Sequence, residues 1–138
     1  MTRTNTQSYV DGTPITSSTL RDKRLELIDS FGIDLLISVH HNYSPYSSGN
    51  GTEALYFYGF NQELAQTLAD SMAKASGMKN RGGKYQNVFV YRNHDFMSVL
   101  LECGFLSNPS DSQWLLADGN TAKLAKAIAE GVVKYFSN

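Results

Sequence analysis

The chain contains 138 residues, a length that suits a single domain. Hydrophobic residues make up 41% of the sequence and charged residues 18%, so a packed core is expected and an intrinsically disordered chain is not. The 12 basic and 13 acidic residues give a net charge of −1. This balance argues against a nucleic-acid-binding surface, which needs clustered lysine and arginine, and against long-range attraction to an anionic polymer.

The N-terminal residues Met1-Thr2-Arg3-Thr4-Asn5 are not followed by an apolar run, so no signal peptide is expected in this sequence. No stretch reaches the ~20 apolar residues that a membrane span requires. Cys103 is the single cysteine, which excludes an intrachain disulfide. A small buried hydrophobe is the favoured interpretation of Cys103, because a nucleophilic cysteine needs a positioned base and no neighbouring residue offers one.

The pattern of apolar residues predicts alternating helices and strands. Helices are expected over 19–31, from Asn61 as a cap to Gly77, over 109–116, and from Asn120 as a cap towards the C-terminus. Strands are expected over 33–39, 53–58, 87–91 and 98–101, and loops over 42–51 and at the glycine-rich segment 80–83.

Strands that alternate with helices predict a three-layer α/β/α domain with a mostly parallel sheet, formed by residues 1–138 as one domain. Ligands of such sheets bind beyond the carboxyl ends of the strands. His40 and Glu102 both follow apolar strands, so we expect the two strands to run parallel and close together, with both side chains facing one cleft.

The segment Ser38-Val39-His40-His41-Asn42 delivers two imidazoles to the tip of a buried strand. Neutral imidazole is a common zinc ligand, so His40 and His41 are candidate metal ligands. The alternative is a pair of loop histidines that form hydrogen bonds with the backbone. His94 lies in the polar segment 92–95 and is expected to be solvated.

Glu102 is a carboxylate within the otherwise apolar or small segment 99–106. Such a group is costly to bury unless it is paired or used, and burial should raise its pKa towards the range of a general base. A buried ion pair with Arg81 or Arg92 is the alternative, and the sequence leaves both possibilities open.

Arg81 follows a helix in the glycine-rich loop and could hold a substrate carboxylate or carbonyl, although a simple turn explains the glycines equally well. Aromatic residues at 56–60 are expected in the core and on the sheet surface. Tyr43 and Tyr46, in the loop after the histidines, are better candidates for stacking on a glycan.

Several segments, in chain order, resemble the zinc-dependent N-acetylmuramoyl-L-alanine amidases of bacterial autolysins and phage endolysins. The matching segments are Thr2-Arg3, the helix segment from Leu20 to Arg24, Ser38-Val39-His40-His41-Asn42 with its "S-[IV]-H-x-N" pattern, Gly51-Thr52-Glu53 before aromatic residues, Asn80-Arg81-Gly82, and Val99 to Asn108 with its "V-L-[LIV]-E-x-G-F-[LIV]-[ST]-N" pattern. The resemblance covers nearly the whole chain.

The resemblance implies a peptidoglycan hydrolase that acts at the bacterial cell wall, with zinc as its cofactor. By position, His40 corresponds to a zinc ligand and Glu102 to the catalytic glutamate, and we expect Asn42 and Arg81 to bind the substrate. In the implied reaction, zinc activates a water that attacks the amide between N-acetylmuramic acid and L-alanine, while Glu102 takes the water's proton and returns one to the leaving amine.

The family's other two zinc ligands, an earlier histidine and a glutamate from its first helix, have no counterpart here, since the match starts near the family's second strand. The sequence therefore leaves open an amidase with an incomplete zinc site or an inactive fragment that binds cell wall or pairs with a partner. A second copy could also supply a ligand, and His94 is the remaining histidine for such self-association. We expect the monomer alone to be an inefficient amidase.

Overall fold

The computed structural model describes residues 9–10, 13–14, 17–46, 48–87 and 96–137. The chain divides into two compact units, Met1–Leu35 and Leu36–Asn138. None of the helices in the described residues combines the length and the apolar character that crossing a bilayer requires.

The first unit contains two short strands and one helix. Strands β1 (Tyr9–Val10) and β2 (Thr13–Pro14) pair in antiparallel fashion. Helix α1 spans Ser17–Ser30, close to the predicted range of 19–31.

The second unit contains a four-stranded sheet and three helices. The strands are β3 (Leu35–Asn42), β4 (Thr52–Tyr56), β5 (Asn80–Tyr85) and β6 (Met97–Phe105), in the spatial order β3-β6-β4-β5. The helices are α2 (Gln62–Ser76), α3 (Pro109–Leu116) and α4 (Asn120–Phe136). The predicted α/β class is confirmed.

The sheet is mixed. β4 runs parallel to β5 and antiparallel to β6. The Leu106 N–H, directly after β6, donates to the Asn42 carbonyl at the end of β3 at 2.9 Å, so the carboxyl ends of these two neighbouring strands meet. The predicted parallel arrangement of β3 and β6 is therefore present, whereas the antiparallel pair at the centre of the sheet was not predicted.

Helix α2 covers one face of the sheet. Its buried side chains include Leu64, Leu68 and Met72, and the Cys103 thiol lies 3.9 Å from the Met72 sulfur. The predicted burial of Cys103 is confirmed, since the residue is 1% exposed. Helix α4 packs on α2, where a Cβ at Gly131 would lie only 2.8 Å from Ser71 Oγ.

Two predicted helix caps are wrong in detail. Asn61 directly precedes α2, but its side chain caps no backbone N–H and its buried amide has no hydrogen-bond partner. Asn120 is the first residue of α4, and its side-chain amide donates to the carbonyl of Trp114 in α3. The predicted end of α2 at Gly77 is confirmed by the left-handed φ of 72° there.

Residues 80–83 form part of strand β5 rather than the predicted loop. Gly83 lies against α2, where a Cβ would come within 2.9 Å of the Gln66 backbone nitrogen. The glycines thus permit close packing of a strand on a helix rather than marking a turn. The predicted strand over 87–91 is not found at Asn87, and the rest of that range lies outside the described residues.

Candidate active site

Polar residues from all four strands of the sheet gather on the face opposite α2. Since Cys103 contacts α2, the alternation of side chains along β6 directs Glu102 to the other face. Glu53 of β4 lies directly opposite Glu102 in the antiparallel register, which places both carboxyl groups on the same side. Asn42 donates to Glu53, and His40 lies two residues before Asn42 on β3, so His40 also faces this side.

This arrangement agrees with the expectation that His40 and Glu102 face one cleft. Neither residue lies beyond its strand, however. His40 is two residues from the end of β3, and Glu102 is three residues from the end of β6. His41 follows His40 directly, and the alternation of strand side chains directs it to the opposite face.

Glu53 accepts hydrogen bonds from three other polar side chains of this face, and it is 6% exposed. Its Oε1 accepts a hydrogen bond of 2.9 Å from Asn42 Nδ2. Its Oε2 accepts from Arg81 Nε at 2.7 Å and from Lys84 Nζ at 2.6 Å. One buried carboxylate therefore joins three of the four strands.

Glu102 has a very different environment. Its Oε2 atom is buried and has no hydrogen-bond partner. Burial, with a smaller contribution from the negative charge of Glu53, raises the pKa of Glu102 from 4.5 to about 7. A carboxyl group that titrates near neutral pH has the proton affinity that a general base needs.

Glu53 shows the opposite behaviour. Burial alone would raise its pKa, but the hydrogen bonds and positive charges of Lys84 and Arg81 outweigh burial and lower it. The surroundings of these two neighbouring carboxyl groups thus shift their pKa values in opposite directions. Glu53 is held ionised, whereas Glu102 is placed where it can gain or lose a proton near pH 7.

The alternative considered for Glu102, an ion pair with Arg81, is not formed, because Arg81 pairs with Glu53. Its guanidinium carbon also lies 5.1 Å from the centre of the Phe105 ring. The Arg81 side chain is 28% exposed and that of Lys84 is 41% exposed. Both cations therefore remain accessible to an anionic or carbonyl group at this edge. Arg92, the other predicted partner, lies outside the described residues.

Both ends of the Asn42 side-chain amide have protein partners. Its Nδ2 donates to Glu53, and its Oδ1 accepts from the Tyr43 backbone N–H at 2.8 Å. These bonds fix the end of β3, which carries His40. Tyr43 and Tyr46 beyond it are 72% and 73% exposed, as glycan-stacking side chains would need to be.

A buried aspartate joins the two strands that carry the carboxyl pair. Asp111 Oδ2 accepts from the Gly51 N–H at 2.8 Å, just before β4, and from the Phe105 N–H at 3.0 Å, at the end of β6. Gly51 itself has a φ of 97°, and a Cβ there would lie 2.2 Å from the Lys79 carbonyl oxygen. The relative positions of Glu53 and Glu102 thus depend on a backbone that admits little change.

The metal-binding potential of this face rests on His40. Among the described residues, no three His, Cys, Asp or Glu side chains are grouped so that they could hold a metal ion. A catalytic zinc takes three protein ligands. The described residues therefore do not by themselves fit a complete zinc site. His94, the remaining histidine, lies outside the described residues.

Sequence comparison identifies the class of protein to which this site belongs. The family model described as N-acetylmuramoyl-L-alanine amidase matches residues 1–134. The chain belongs to this amidase family. A probable cell wall amidase, LytH, of Staphylococcus epidermidis is 33% identical over 129 residues, which cover 93% of this chain and 44% of that protein. This amidase-family chain therefore spans less than half of that curated relative.

Solved amidase structures have the same fold. The CwlD amidase of Clostridioides difficile, in complex with the GerS lipoprotein, matches with a TM-score of 0.88 and 26% identity over 99% of this chain and 74% of that one. The catalytic domain of the amidase CwlV from Bacillus (Paenibacillus) polymyxa matches with a TM-score of 0.78 and 28% identity over 94% of this chain and 70% of that one. The family resemblance and the α/β fold predicted from the sequence are both confirmed.

Sequence reasoning gave no role to two residues of this face, Glu53 and Lys84, although Glu53 lies in a segment that matches the family. A signal for Glu53 was present, because it is a carboxylate at the start of an apolar strand and the argument made for Glu102 applies to it equally. Lys84 gave no comparable signal, since its partner lies 31 positions earlier in the chain.

Proposed function

We propose that this chain provides the catalytic face of a peptidoglycan amidase that cleaves the bond between N-acetylmuramic acid and L-alanine. The single observation that carries the proposal is the environment of Glu102, whose buried Oε2 has no partner and whose pKa is raised to about 7. Such a carboxyl group fits general-base catalysis better than a structural ion pair. Membership of the amidase family supplies the substrate class.

In the proposed reaction, Glu102 accepts a proton from the water that attacks the amide carbonyl, and it then returns a proton to the leaving amine of L-alanine. We propose that Arg81 orients a carboxylate or carbonyl of the muramyl peptide, because its guanidinium stays partly exposed beside the carboxyl pair. For Asn42, we propose contact with the substrate through the amide hydrogen that is not donated to Glu53.

Zinc is the proposed cofactor of the complete site, with His40 as the ligand that this face supplies. We expect this chain alone to bind zinc weakly, because the described residues supply fewer ligands than the three that a catalytic zinc takes. Calorimetric titration of the metal-free chain tests this expectation. Tight binding of one zinc per monomer would contradict it.

The proposed activity is tested by release of stem peptides with free N-terminal L-alanine from purified cell wall. In a version of the chain with a complete zinc site, we expect Glu102→Gln to lower the rate by a factor of ~10²–10⁴ and to keep the fold, because the amide is nearly isosteric but cannot accept the proton. Near-normal turnover by a folded Glu102→Gln protein would remove Glu102 from the catalytic role. If a version of the chain with a complete zinc site binds cell wall without hydrolysis, the non-catalytic alternative replaces the proposal.

We propose that the chain acts at the bacterial cell wall with peptidoglycan as its partner, and its membership of the amidase family supports this proposal. Self-association through His94 remains a second, separate proposal. Sedimentation of the chain with and without zinc tests it, and a monomer under both conditions would contradict it.

A further inference from the structure

The strongest feature of the site face that the proposed function does not explain is Glu53. Its carboxylate accepts three side-chain hydrogen bonds, from Asn42, Arg81 and Lys84, at 2.6–2.9 Å. A nearly buried carboxylate with this many charge-assisted bonds is firmly fixed. These donors come from strands on both sides of β4, so the contacts link regions that are far apart in the chain.

The position of Glu53 relative to Glu102 is equally specific. The two residues are direct partners in the antiparallel register of β4 and β6. Directly opposite side chains on one face of such a pair lie within ~4.5–5.5 Å at their Cβ atoms. A negative charge held at Glu53 therefore acts on Glu102 at short range, and the cations bound to Glu53 keep that charge in place.

We propose that Glu53 is a positioning residue of the hydrolytic site, which fixes the end of β3 through Asn42 and holds a permanent negative charge beside Glu102. The inference rests on the proposed function of Glu102 as the base. Glu53 itself does not transfer a proton, because both of its oxygens are occupied by donors. It sets the position and the electrostatic surroundings of the groups that do the chemistry.

The charged groups that face Glu102 from the neighbouring described strands define the test. They are Glu53 on β4, Arg81 and Lys84 on β5 through their bonds to Glu53, and His40 on β3. Removal of the Glu53 charge leaves the two cations uncompensated. The loss of the negative charge and the two uncompensated cations both favour ionised Glu102. Both effects therefore lower the midpoint of its titration.

The experiment follows the side-chain carboxyl carbon of Glu102 by NMR as a function of pH, in the chain without metal or substrate. For Glu53→Gln we expect the midpoint of Glu102 to fall by roughly one unit. For Glu53→Asp, which keeps the charge, we expect most of the original midpoint to be retained. An unchanged midpoint in a folded Glu53→Gln protein would overturn the proposal.

A second pair of variants keeps the test decisive if Glu53→Gln does not fold. Lys84→Met removes a partly exposed cation from Glu53, so the less compensated anion should raise the midpoint of Glu102. Lys126→Met is the matched control, because Lys126 lies on α4 with a side chain that is 76% exposed and pairs with Glu130. A fall with Lys84→Met, or equal shifts in the two lysine variants, would contradict the proposed role.

This readout needs no hydrolysis, so it can fail separately from the proposed function. If Glu53→Gln leaves the midpoint of Glu102 unchanged and the chain retains amidase activity, only the positioning role of Glu53 is refuted. If Glu53→Gln lowers the midpoint of Glu102 as expected, but the Glu102→Gln variant still hydrolyses cell wall, the base assignment of Glu102 is refuted instead. For an active chain, Glu53→Asp should also retain more of the hydrolysis rate than Glu53→Gln.

Discussion

The unusual environment of Glu102 should make its removal stabilising at neutral and alkaline pH. The folded chain holds the Glu102 proton up to a pKa of about 7, whereas the ordinary value is 4.5. Between these two values the folded state binds more protons than the unfolded state, so the free energy of unfolding falls as the pH rises. Above about pH 7 the loss is complete. Glutamine at position 102 carries no titrating proton and avoids this loss.

The magnitude follows from the size of the shift. A change from 4.5 to about 7, at 1.36 kcal/mol per unit, corresponds to at most about 3 kcal/mol. Because the Glu102 side chain is half-buried, solvent screens part of this cost. We therefore expect the free energy of unfolding of Glu102→Gln to exceed that of the unaltered chain by about 1–3 kcal/mol at pH 8. At pH 4 we expect the two proteins to have similar free energies of unfolding.

Urea unfolding at several pH values measures the effect, with the single tryptophan, Trp114, as the fluorescent probe. Glu130→Gln on α4 is the matched control, since its side chain is 68% exposed and the substitution removes the same charge from the surface. A stability difference for Glu102→Gln that stays constant from pH 4 to pH 8 would refute the reasoning. It would mean that the folded chain does not hold this proton more tightly than the unfolded chain does.

Three further predictions concern the framework of the site. Asp111→Ala should lower the free energy of unfolding by about 2–4 kcal/mol in urea titrations, because two buried N–H groups, of Gly51 and Phe105, lose their acceptor. Gly51→Ala should be still more damaging by the same measurement, often to the point of lost folding, since the new Cβ meets the Lys79 carbonyl. Gly77→Ala, at a left-handed helix cap with open space around it, should lower the free energy of unfolding by only about 1 kcal/mol, as measured by thermal unfolding. An equal loss of stability for Gly51→Ala and Gly77→Ala would contradict this distinction.

The parts of the fold that were predicted correctly are those with a strong local pattern. Helix α2 has leucines and a methionine at helical spacing and ends at Gly77, and strands β3 and β6 each contain a run of apolar residues. Strand β5 was missed because its glycines resemble a turn when read alone. They are required instead by α2, which packs against the strand, and this tertiary contact leaves no local mark in the sequence.

The same limit applies to the site. Glu102 and His40 were predicted as site residues because each stands next to an apolar run and matches a family motif. The partner of Arg81 could not be read from spacing, because Glu53 lies 28 positions away and is brought near only by the parallel pairing of β4 and β5. The charged residues can be identified in the sequence, but only the register of the sheet shows which of them neutralise one another.

That register explains how one face can hold two carboxyl groups in opposite states. Glu53 and Glu102 lie side by side, and burial alone would raise the pKa of both. The difference comes from the position of β5, which brings Arg81 and Lys84 next to Glu53 on the outer side of β4. Glu102 lies on β6, on the other side of β4 from β5, and is therefore one strand farther from both cations. Its Oε2 receives no compensating donor. The strand order therefore holds one glutamate as an anion and leaves the other with a pKa raised to about 7.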